Sequence, residues 1–63
     1  MNIKPHPPTP SQIRTTRLAA NLNQSDAARL LGVSRMTLYN YEAGRTEMRP
    51  QLYEYMVLKL INL

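Results

Sequence analysis

Apolar residues recur at three- and four-residue steps in separate stretches of the chain, and residues that start or stop a helix stand between them. The clearest case is the middle of the sequence. Ala27, Ala28, Leu30 and Leu31 form an apolar stripe at helical spacing. Asn23 precedes them as a cap able to accept from the backbone N–H of Asp26, whose carboxylate sits well near the positive helix end. Gly32 comes next, where a left-handed residue stops a helix cheaply. Val33 can then plug a tight turn and Ser34 can cap a second helix, which carries Leu38 and Tyr41 inward at a three-residue step. Arg35, Met36, Thr37, Tyr39 and Asn40 are left facing outward, the Thr37 hydroxyl free, and Gly44 closes the helix. The pattern predicts helices over about 24–31 and 35–43.

Upstream, Pro5, Pro7 and Pro8 make residues 1–8 a flexible, proline-rich, extended arm. Thr9, Pro10 and Gln12 then read as cap, first helical residue and reciprocal capping partner of a helix reaching Asn21. Its inward positions are Ile13 and Leu18, with Ala20 a further candidate, while Arg14 and Arg17 lie on neighbouring faces. Downstream, residues 44–49 read as a polar loop, and Pro50 opens a helix running to near Ile61. Apolar residues populate almost every face of that helix. Leu52, Tyr55 and Met56 suffice to complete a core. Val57, Leu60, Ile61 and Leu63 are surplus, and a homodimer interface would cover them. Residues 9–63 thus read as one all-α domain, a compact bundle of four to five helices.

Length and charge narrow the possibilities. A chain of 63 residues buries only about 60% of its unfolded surface, so a partner subunit would help it. The net charge is +4, and Arg supplies six of the eight basic side chains, which favours a polyanionic partner. There is no cysteine, and His6 has no second ligand beside it, so neither disulfide nor metal site is expected. No stretch approaches the roughly 20 apolar residues a bilayer crossing needs, and a cytoplasmic protein is expected. Four carboxylates, one His in the arm and no glycine-rich phosphate loop leave no catalytic constellation, and neither an enzyme, a cofactor nor a small-molecule ligand is expected.

The residues Leu22-Asn23-Gln24, Ala28, Leu31-Gly32, Ser34, Leu38 and Glu42-x-Gly44-Arg45 resemble the helix-turn-helix domains of phage repressors of the Cro/cI, or XRE-like, type. The likeness covers roughly residues 10–58 and lies in the combined spacing. The stretch Glu47-Met48-Arg49-Pro50, with Leu52-Tyr53-Glu54 and the apolar helix after it, also resembles small phage regulators associated with anti-CRISPR operons. The first resemblance implies a lambda-repressor-like fold and double-stranded DNA as partner. It places base reading at Arg35, Met36, Thr37 and Asn40 on the second helix of the motif. Arg suits guanine O6 and N7, Asn suits adenine N6 and N7, and Met and Thr can touch thymine methyl groups. Many relatives carry glutamine at these positions, so no operator sequence transfers. Gln24, Ser34 and Arg45 would hold phosphates, with Tyr39 either joining them or covering the edge of the core. Arg17 and Glu42 stand where the family places an interior ion pair, against the reading of two independent surface charges. Arg14 and Arg49 read equally as flanking phosphate contacts or solvated side chains, and Arg29 lies away from the DNA face.

Motif, charge and resemblance together imply a transcriptional regulator, a repressor that binds a palindromic operator as a homodimer. The alternative is a protein-interaction module, an antitoxin or adaptor, that docks its apolar C-terminal helix onto another protein.

Overall fold

Three side-chain caps open the first three helices. In the computed structural model, which describes residues 6–61 with Ile61 by its backbone alone, these are α1 (Pro10–Ala19), α2 (Gln24–Leu31) and α3 (Arg35–Glu42), followed by α4 (Pro50–Ile61). No strand occurs among the described residues, and the fold is all-α. Thr9 Oγ1 accepts from the Gln12 N–H at 3.1 Å, while Gln12 Oε1 accepts from the Thr9 N–H at 2.8 Å. Both donors would otherwise be orphans of the first turn. Asn23 Oδ1 accepts from the Asp26 N–H at 2.8 Å and Ser34 Oγ from the Thr37 N–H at 3.0 Å.

The same three helices end alike. A left-handed residue stands after each, at φ 58° for Asn21, 72° for Gly32 and 76° for Gly44. The N–H of each returns to the carbonyl three residues back, Leu18, Arg29 and Tyr41 respectively. The N–H of the next residue returns five back, Leu22 to Arg17, Val33 to Ala28 and Arg45 to Asn40, at 3.4, 3.0 and 2.9 Å. This double closure satisfies the last carbonyls and turns the chain sharply, which is how three short helices fit into a small volume.

The core consists of Ile13, Ala27, Ala28, Leu31, Leu38, Met48 and Met56, flanked by Leu22, Val33, Tyr41, Leu52, Tyr53 and Leu60. Helix α3 packs on α1 and α2, and α4 packs on both from the other side. A hydroxyl pair, Thr16 Oγ1 and Tyr53 Oη at 3.0 Å, joins α1 to α4. Pro8 is buried, in a depression that His6–Pro10 share with Ile13, Tyr41 and Met48.

Five sequence expectations are corrected by these positions. Leu18 is 51% exposed, not inward, because α1 turns Ile13 and Arg17 to the core. Helix α1 stops at Ala19, short of Asn21, since Asn21 takes the left-handed conformation. Met48, assigned to a polar loop, is wholly buried. On α4, Tyr53 packs against the core in place of Tyr55, which is exposed, and Leu60 is not surplus but packs there too.

Candidate nucleic-acid interface

The turn Gly32–Ser34 sets α3 across the outer side of α2, and α3 is anchored by Leu38 alone as its fully buried residue. Tyr41 packs against the core and Glu42 turns inward, while the remaining side chains of α3 are released toward the surface. Arg35 is exposed, Met36 is 64% exposed, Tyr39 is exposed, and Thr37 and Asn40 are half-buried. Gln24, Arg35, Met36 and Tyr39 together line a shallow depression between the start of α2 and the outer face of α3. A second depression lies beside it, lined by Arg14, Arg17, Gln24, Tyr39, Glu42 and Ala43. Gln24 and Tyr39 belong to both and form the ridge between them.

Side-chain hydroxyls and cations around this face have specific partners. Ser34 Oγ and Thr37 Oγ1 share a hydrogen bond of 2.8 Å, so the Thr37 hydroxyl is not free as its sequence position suggests. The Arg45 guanidinium lies 6.0 Å from the centre of the Tyr39 ring, at the limit of a cation–π contact. This couples the side chain after α3 to one on its exposed face. Arg29, by contrast, pairs with Asp26 at 3.7 Å on the far side of α2, and both are well exposed.

Behind the ridge sits a buried charge network. Arg17 Nε donates to Glu42 Oε2 at 2.8 Å and Arg17 Nη2 donates to Glu42 Oε1 at 3.0 Å, a bidentate pair. The two side chains are only 10% and 6% exposed. Arg17 Nη1 donates further to the Leu22 carbonyl at 2.9 Å, and Gln24 Nε2 donates to Glu42 Oε1 at 3.3 Å. The Glu42 carboxylate therefore ties α1 and the first residue of α2 to the end of α3, and Arg17 extends the network to the α1–α2 turn. Among the described residues no buried side-chain polar atom lacks a partner, which is the condition under which a buried ion pair is tolerated.

The structure thus gathers Gln24, Arg35, Met36 and Tyr39 on one surface, with Arg17 and Glu42 beneath it and Arg45 against Tyr39. Val57 and Leu60 lie elsewhere, in an apolar groove between α1 and α4 with Ala19, Ala20 and Tyr53. The Ile61 side chain and Leu63 fall outside the described residues. Sequence reasoning did not foresee the Gln24–Glu42 bond or the Arg45–Tyr39 contact. The first needs the crossing of α2 and α3 to be known and the second the path of the chain after α3, and no spacing in the chain encodes either. Among the described residues no group of acidic, His or Cys side chains could hold a metal ion, and no helix is long and apolar enough to cross a membrane.

Comparison with curated proteins found no match. A family model described as a helix-turn-helix domain matches residues 11–58, which take in α2, the turn and α3 whole. The chain belongs to the helix-turn-helix domain family, a DNA-binding architecture.

Proposed function

We propose that this protein is a sequence-specific transcriptional repressor of the phage Cro/cI type, which binds a palindromic operator as a homodimer and occludes a promoter in the bacterial cytoplasm. The observation that carries the reading is the exposed face of α3: a helix held from within by Leu38, Tyr41 and Glu42 turns Arg35, Met36 and Tyr39 outward, next to Gln24. Nothing in packing calls for a large apolar Met36 and a cation at those positions. A DNA major groove does.

Arg35 and Asn40 are assigned to base edges, and Met36 and the Thr37 methyl to apolar contact with thymine. Gln24, Ser34, Arg45 and Tyr39 are assigned to the phosphate backbone, where they set register without reading sequence. The net charge of +4 supplies the nonspecific attraction. The dimer is assigned to the C-terminal part of α4 and the sequence after it, through Val57, Leu60, Ile61 and Leu63. There the apolar groove against α1 gives a second copy something to cover. A two-fold axis at that place would set two α3 helices about 34–36 Å apart, one DNA turn.

Selection of bound sites from random duplex DNA, followed by footprinting at fixed salt, tests the reading. Two inverted half-sites about 10 base pairs apart are expected. A single asymmetric site would remove the homodimer, and no enrichment would favour the protein-interaction alternative.

A further inference from the structure

Glu42 makes more contacts than pairing with Arg17 explains. The Arg17 fork already gives it two hydrogen bonds, at 2.8 and 3.0 Å, and the carboxylate nevertheless takes a third, from Gln24 Nε2 at 3.3 Å. Gln24 is half-buried and stands on the ridge shared by the two surface depressions, with Arg35 and Met36 on one side and Arg14 on the other. A glutamine side chain has three torsions and an amide that presents either its oxygen or its nitrogen. A carboxylate accepts only. Its bond to Gln24 therefore fixes which end of the amide turns inward: the nitrogen faces Glu42, and one N–H of the same group stays available for an acceptor.

We infer that Glu42 is a positioning residue for DNA binding, which holds the Gln24 amide preorganised to donate to a backbone phosphate. The inference rests on the proposed DNA-binding function and deepens it. The arrangement also solves an electrostatic difficulty. An unpaired carboxylate near the DNA surface would repel phosphate, but Arg17 neutralises this one within the protein. What Glu42 passes outward is orientation without charge. The consequence is a coupling: the worth of Gln24 to DNA binding should depend on Glu42, although Glu42 itself is nearly inaccessible.

The test is a double-mutant cycle on affinity for a duplex selected from random sequence by the wild-type protein. Gln24→Ala is measured in the wild type and in an Arg17→Met/Glu42→Met background, where two apolar side chains replace the buried pair. In the wild type, Gln24→Ala is expected to weaken binding about 10-fold, and in the apolar background less than about 2-fold, a coupling within the usual range for contacting residues. Equal losses in both would overturn the inference while leaving DNA binding intact. If the wild type enriches no duplex, the DNA reading and this inference fall together. A second measurement needs no DNA and uses the same apolar background. One Gln24 side-chain amide proton should exchange slowly with solvent and be displaced from the free-glutamine position in the NMR spectrum of the wild type, and should lose both features in Arg17→Met/Glu42→Met; exchange in the wild type as fast as that of an exposed glutamine would overturn the inference as well.

Discussion

At the scale of single residues, the face around α3 sorts by what each side chain can donate. Arg35 is exposed at the first turn of α3, a place where the helix dipole mildly disfavours a cation, and no acidic residue shares that turn with it. Arg35→Ala should cost about 1–3 kcal/mol on the preferred duplex and flatten the preference at one base pair, as read by titration against single-base variants. Arg45→Ala should act differently, weakening all sequences alike and lowering the slope of log K against log salt by about one. Glu42 belongs to stability as well as to binding. Glu42→Gln leaves the Arg17 guanidinium buried against a neutral amide, and loss of one partner of such a pair costs about 3–5 kcal/mol at the upper end. A marked fall in melting temperature is expected, partly recovered on adding Arg17→Met; strict additivity would show that the two side chains do not act together.

At the scale of elements, the three left-handed stops set the lengths of α1, α2 and α3. A Cβ at Gly32 would meet nothing within 4 Å, so Gly32→Ala isolates the cost of the conformation itself, about 1–2 kcal/mol by chemical denaturation. Asn21→Gly, at φ 58°, should instead leave stability level or raise it, because the side chain is exposed and glycine removes the steric penalty. These stops also show what the chain makes legible. Thr9, Asn23 and Ser34 as caps and Gly32 and Gly44 as stops announce themselves by chemistry, and Ile13 and Leu38 by their place in a clean apolar period. Leu18 misleads because hydrophobicity stands in for position. It lies five residues from Ile13, about 140° round the helix, whereas Arg17 sits on the core side and is tolerated there because Glu42 meets it. Met48 has no helical period to place it, and only the return of the chain over α1 buries it. On α4 the stripe Leu52, Tyr53, Met56 and Leu60 is present, but so many apolar neighbours surround it that no single face stands out. Of the candidate interface, the outward side of α3 was readable from the period. The Gln24–Glu42 bond and the Ser34–Thr37 bond depend on how segments meet and on rotamers, which no period specifies.

At the scale of the whole molecule, a small core must hold a fold that also presents α3, so each large buried side chain carries weight. Met48→Ala should cost about 2–5 kcal/mol of stability, with the loss read from denaturant midpoints. For assembly, Leu60 is a poor probe, since it packs on its own core and its removal harms fold and interface together. Val57, half-buried at the α1–α4 groove, separates the two. Val57→Glu should sediment as a monomer at micromolar concentration and bind a palindrome little better than a half-site. A folded Val57→Glu dimer would move the interface elsewhere. The central claim, that α3 reads DNA sequence, is tested most directly by one equilibrium titration. The wild-type protein is measured at fixed salt against its selected duplex and against a scrambled duplex of the same length and composition. At least about 10³-fold tighter binding to the selected duplex is expected; equal affinity for the two would contradict the claim.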